Sequence, residues 1–134
     1  MRLSLMRGLL LVGLCAVVSL PVAGVADAKK KKKKKVGTEV TLVAEEEGEY
    51  GEFLGWDVSG TLTSDKKKCL NFRGIELTQN GNTVNRASTS DTNTGIFVFE
   101  TLTNPGDYVA KVKKKTQGRT VCKAASEPLS LPAP

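Results

Sequence analysis

The sequence predicts an all-β fold, a single β-sandwich of about seven strands, placed behind an N-terminal stretch of different character. Three observations carry this. Residues 90–112 read as turn, strand, turn, strand. Asp91, Asn93 and Gly95 precede a β-branched and aromatic run (IFVF, 96–99), and Asn104-Pro105-Gly106 precede the alternating Tyr108, Ala110 and Val112. Strand-like segments recur about every 8–14 residues with turn residues between them. No segment of the folded part keeps a 3.6-residue apolar period for two turns.

The chain of 134 residues opens with Arg2 and Arg7, continues through apolar residues 8–20 and breaks at Pro21. Ala26-Asp27-Ala28 then offers a small-x-small cleavage site. This is the three-part pattern of a secretory signal peptide, helical in its apolar part, so residues 1–28 are assigned to it with cleavage after Ala28. An uncleaved anchor over residues 8–26 is the alternative, since that stretch is nearly long enough to span a bilayer. Seven lysines follow directly: Lys29, Lys30, Lys31, Lys32, Lys33, Lys34 and Lys35. Positive charge ordinarily stays on the cytoplasmic side, so this run opposes export or implies an inverted anchor. As a like-charge block with nothing to bury, residues 29–37 are expected to be disordered.

The remaining elements occupy residues 38–131. Residues 38–44 alternate weakly and suit a first or edge strand. Residues 45–52 are acidic with Gly48 and Gly51 inside, and read as a loop or an exposed hairpin. Leu54, Trp56, Val58, Gly60 and Leu62 share one face of an extended strand. A polar loop at 65–68 leads to a strand at 72–78 with Ile75 and Leu77 inward. Asn80-Gly81-Asn82 is a strong turn signal before a thin strand at 83–88. After the hairpin of residues 90–112, residues 120–124 form a strand that 129–131 extend, and residues 132–134 are a proline-marked tail. The expected core holds Trp56, Val58, Leu62, Leu77, Phe97, Phe99 and Tyr108.

Cysteine usage bounds the compartment. Cys15 lies in the apolar leader behind Leu14, a large residue where a lipidation signal has a small one. Cys69 and Cys122 remain, and two cysteines in a small exported domain ordinarily pair. Closing a loop of this length stabilises by about 4 kcal/mol in the chain-entropy account. Two buried free thiols are the alternative.

Charge depends on where the chain is cut. It carries 20 basic and 14 acidic residues. Removing residues 1–28 takes Arg2, Arg7 and Asp27 and leaves 18 against 13; removing the lysine run as well leaves 11 against 13. The positive excess therefore belongs to residues 29–35, which weakens polyanion binding by the folded body and favours it for the run.

A series of short motifs then appears in order: Val58-Ser59-Gly60-Thr61-Leu62, Arg73-Gly74-Ile75-Glu76-Leu77, a turn at Gly81, Asp91 to Gly95 with Ile96-Phe97-Val98-Phe99, Leu102, and Pro105-Gly106-Asp107-Tyr108-Val109-Ala110-Lys111-Val112. Residues 56–125 thereby resemble the carboxypeptidase-regulatory-like, or prealbumin-like (Ig-like), β-sandwich found in bacterial exported and surface proteins. The resemblance implies a structural, adhesive or accessory module. It departs at Thr94, an extra turn residue, and in the cysteine pair. Tyr108 is expected to bury its ring and reach a backbone partner with its hydroxyl, as in a tyrosine corner.

The chain has no histidine, which removes the commonest general base and metal ligand. Asp91 to Gly95 resembles the start of a calcium loop but lacks the later ligands, so it reads as a turn. Glu45, Glu46, Glu47, Glu49 and Glu52 read as a solvated acidic segment, with a divalent cation as the alternative. The resulting expectation is an exported, non-enzymatic module with no cofactor, acting on a protein or cell-envelope partner. The alternative is an anionic-polymer or envelope binder working through Lys29–Lys35. No specific nucleic-acid recognition is expected, because aromatic interleaving is absent.

Overall fold

The alternation over residues 54–62 is realised as the central strand of a sheet, and the rest of the sandwich is laid against it. The computed structural model describes residues 31–134, which form one compact unit. The residues assigned to a signal peptide, the expected cleavage after Ala28, and Lys29 and Lys30 lie outside the described residues. Ten strands are present: β1 Lys34–Val36, β2 Glu39–Glu49, β3 Glu52–Thr63, β4 Gly74–Gln79, β5 Asn82–Ser88, β6 Ile96–Val98, β7 Gly106–Val112, β8 Lys115–Gln117, β9 Thr120–Cys122 and β10 Ala125–Leu131, with one 3-10 turn at Lys67–Cys69. Seven of them build the sandwich, in two antiparallel sheets ordered β2-β3-β6 and β10-β7-β4-β5. The other three form a small sheet, β1-β9-β8, in which β1 pairs with β9 in parallel. Residues 120–131, read as one extended strand, are divided between β9 and β10 and serve two different sheets.

Inward-facing residues of the two large sheets meet in one core. Val40, Trp56, Val58, Leu62 and Phe97 come from one side, and Ile75, Leu77, Tyr108, Ala110, Val112 and Leu131 from the other, with Phe99 and Leu102 following β6. All seven residues expected in the core are buried. Phe97 and Phe99 meet edge to face, with ring centroids 5.5 Å apart. Gly60 sits opposite Phe97 in the register of β3 and β6. A Cβ there would collide with the Phe97 ring and come 2.7 Å from the Thr41 carbonyl oxygen. The missing side chain is what lets the ring lie across β3.

Turn chemistry fixes the hairpins. Asn80 and Gly81, at φ 51° and 80°, make the two-residue turn between β4 and β5. Positive φ at both central positions matches the right-handed twist of the flanking strands. Tyr50 and Gly51 repeat it at φ 53° and 83°, so the acidic segment 45–52 is the tip of the β2–β3 hairpin. Gly95, at φ 70°, turns the chain into β6.

Leu54 departs from its expected inward position and is 47% exposed. The register explains it: Glu47 faces Gly55 and Gly48 faces Phe53, which leaves Leu54 as the extra residue of a bulge. A one-residue bulge reverses the facing beyond it. Phe53 therefore turns inward and stacks edge-on against Trp56, with centroids 4.4 Å apart.

At the far end of the core the Tyr108 hydroxyl donates to the Asn104 carbonyl oxygen, 2.6 Å away, pinning the loop before β7. Burial pushes the phenol above its ordinary value, and a hydrogen bond with Gln79 partly opposes this. The neutral form is thus favoured more in the folded than in the unfolded chain. Its stabilisation is complete below about pH 10 and is lost as the pH rises through the folded value.

Two outcomes follow for stability. Phe99→Ala should cost about 3–5 kcal/mol in urea unfolding, and an unchanged midpoint would mean that the ring is not in the core. Tyr108→Phe should be about 1 kcal/mol less stable near neutral pH, through the lost hydrogen bond. That gap should narrow above about pH 10, where the wild type alone loses the Tyr108 phenol's contribution. Parallel pH profiles of the two proteins would contradict it.

Candidate functional site

The small sheet is attached to the sandwich by a covalent and a polar staple. Cys69, at the end of the 3-10 turn, and Cys122, in β9, form a disulfide with Cα atoms 5.4 Å apart. Both are fully buried, and with Val36 they make a minor core under the small sheet. The expected pairing is therefore present, and two free thiols are not.

Arg73 lies beside this core and is 1% exposed. Its guanidinium donates to the carbonyl oxygens of Cys69 (2.9 Å), Lys113 (2.8 Å) and Lys123 (3.1 Å), with a long contact of 3.5 Å to Thr38 Oγ1. Its backbone N–H donates to Thr89 Oγ1 at 2.9 Å, and the Thr89 N–H returns a bond to the Arg73 carbonyl at 3.0 Å. No carboxylate contacts it among the described residues. Burial lowers its pKa from the ordinary arginine value. The planar fork fits this place because it spreads several donors toward carbonyls that diverge from one another.

These staples collect basic segments that are far apart in sequence. Lysines 31–35 are all exposed, and the last two lie on β1. The expected disorder through residue 37 gives way at Lys34. There β1 adds to the open edge of β9, the Lys34 N–H donates to the Arg119 carbonyl (2.8 Å), and Val36 is buried against the disulfide. Cys69 brings lysines 66–68 to the same end, because they immediately precede it and run into the 3-10 turn. Arg73 fixes the loop that bears Lys113 and Lys114, and β8 adds Lys115, which is half-buried. The Lys115 ammonium donates to the Phe72 carbonyl (2.8 Å) and lies 6.0 Å from the Phe72 ring centroid. Phe72 itself is 64% exposed. Arg119 and Lys123 bracket β9 and are exposed.

Most negative charge is placed elsewhere, although Glu39 and Asp65 meet beside Gly37 at this end. Glu45, Glu46, Glu47, Glu49 and Glu52 sit at the β2–β3 hairpin tip. Glu39 begins β2 next to the small sheet, and six to ten residues at about 3.3 Å each put Glu45 to Glu49 about 20–33 Å away. The Debye length at physiological salt is about 8 Å, so the tip leaves Lys34 and Lys35 unneutralised. Among the described residues the ion pairs are those of Glu76 with Lys113 (3.1 Å) and Arg86 (3.8 Å). No group of three potential metal ligands occurs among the described residues, the acidic tip included.

Sequence reading located the lysine run and the cysteines but missed the larger assembly. Net charge after removal of the run hid two further lysine triplets, 66–68 and 113–115. The signal that reveals the first was present: it abuts Cys69, and pairing with Cys122 carries it to β9. Arg73 was legible as the opening of a strand motif, and nothing in the sequence marks it as buried. Comparison with protein-family models, with curated proteins and with solved structures gives no match.

Arg73→Lys tests the polar staple. A lysine keeps the charge but cannot reach all three diverging carbonyls, so at least one charge-assisted bond is lost. The cost should be about 1.5–3 kcal/mol in urea unfolding. An unchanged midpoint would show that the guanidinium network contributes nothing.

Proposed function

We propose that the chain is an exported, non-enzymatic β-sandwich that works by surface contact, in the manner of the carboxypeptidase-regulatory-like modules it resembles. The buried Cys69–Cys122 bond is the observation that carries this reading. Such bonds persist in oxidising compartments, where a domain of this size draws stability from them. The pattern of residues 1–28 agrees, with cleavage after Ala28 releasing a chain that begins at Lys29. The unknown partner is a protein or a component of the cell envelope.

A second reading makes the lysine run the active part, as an anionic-polymer contact. The full exposure of lysines 31–35 favours it, as does the fixed position of Lys34 and Lys35 on β1.

N-terminal sequencing of protein recovered from the medium should begin at Lys29, and thiol titration of that material after unfolding without reductant should find no free cysteine. Intact Met1 on membrane-embedded protein would favour the anchor instead. Two titratable thiols would remove the oxidising-compartment argument.

A further inference from the structure

We propose that the disulfide-stapled end of the fold is a binding face for a flexible linear polyanion bearing phosphate or sulfate groups, and that lysines of the folded body carry much of the contact. The inference rests on the surface-contact reading and moves the seat of polyanion binding from the N-terminal run to a composite surface.

Four features point to it. First, three lysine groups from distant parts of the chain, 31–35, 66–68 and 113–115, converge where the small sheet meets the 3-10 turn, joined by Arg119 and Lys123. Second, positive charge outnumbers negative there: Glu39 and Asp65 lie at this end and Glu76 pairs with Lys113 and Arg86, whereas the five glutamates of the hairpin tip lie about 20–33 Å away. Third, the end is rigid. The disulfide, the Arg73 network and the β1–β9 pairing all converge on it, so little ordering entropy opposes binding. Fourth, a shallow groove of about 330 Å³ runs from Arg73 past Glu76 to Lys113, Lys114 and Lys115, giving a strand of polymer a track beside the lysines.

The chemistry of these groups selects the partner class. Ammonium groups are hydrated point charges on flexible stems and make no planar bidentate fork. They suit closely spaced anions of variable geometry, with counterion release as the driving force. A membrane surface fits less well. The exposed apolar residues Val43, Tyr50, Leu54, Val84 and Val98 lie on the two large sheets and the hairpin tip, and Ile96 opens β6 at the end nearer the small sheet. Among the described residues Phe72 and Ile96 are the large apolar side chains exposed toward the basic end, and the Lys115 ammonium approaches the Phe72 ring. Lys34 and Lys35 also point to opposite faces of their strand, which suits a polymer that wraps an edge better than a plane.

The test uses the full mature chain with heparin and with inorganic polyphosphate as probes. One variant carries Lys66→Gln, Lys67→Gln, Lys68→Gln and Lys114→Gln with the run intact; a second replaces Lys29 to Lys35 by Gln. Affinity is measured against salt concentration. The first variant should lose at least tenfold in affinity, and its slope of log K against log salt should fall by about three. The second should keep salt-dependent binding. Acetylation footprinting of the wild-type chain supplies a readout that needs no variant: Lys66, Lys67, Lys68 and Lys114 should be protected by heparin. Unchanged binding by the first variant with complete loss in the second would overturn the composite face and return the function to the lysine run. Binding to phosphatidylserine vesicles but to neither polymer would overturn it in favour of a membrane. Binding to none of the probes would overturn both polyanion readings and leave the protein-contact reading standing.

Discussion

A buried guanidinium with no carboxylate partner among the described residues holds one end of this domain together. Arg73 reaches backbone carbonyls on the 3-10 turn, on the β7–β8 loop and on the β9–β10 loop. Removing a charge from water is costly, and only a full set of hydrogen bonds offsets it. The cation therefore enforces an arrangement as well as stabilising one: if any of those loops moves, a charged donor is left unpaired in a dry place. The disulfide acts on the same loops from the other side, by limiting how far the unfolded chain can spread. The two act on different states, one on the folded ensemble and one on the unfolded, and both converge on Cys69, whose carbonyl takes a guanidinium bond while its sulfur takes the covalent one.

The sandwich itself was largely legible, because period-two alternation and turn residues act locally. Trp56, Val58 and Leu62 face the core as their spacing requires, and Asn80-Gly81 turns as its φ preferences dictate. Legibility fails where one residue changes the phase. Leu54 points outward because a bulge intervenes, and a bulge is specified by the partner strand as much as by its own sequence. It fails again for β1. Lys34 and Lys35 carry every mark of a solvated tail, yet Val36 finds the disulfide and β9 has an edge to fill. Tertiary context of this kind cannot be read from seven consecutive lysines.

The basic end failed to appear in the sequence for a different reason. Summing charge over residues 36–134 gives a slight negative excess, 11 basic against 13 acidic residues, which describes no place on the surface. Folding separates what the sum combines. Residues 66–68 and 113–115 go to one end because Cys69 and Arg73 bring their loops there, and five glutamates go to the other because a hairpin carries them. Spatial sorting, which needs topology, decides whether a near-neutral domain has a charged face.

Two opposite poles about 20–33 Å apart also govern how the molecule moves before it touches anything. In the field of a negatively charged object the net positive charge pulls the body, and its poles turn it as well. The domain therefore arrives lysines first, with the Tyr50 hairpin trailing, and productive orientations are enriched over random tumbling. That alignment acts only within about a Debye length of the surface, so at physiological salt it is a last-moment correction and in dilute buffer a long-range one.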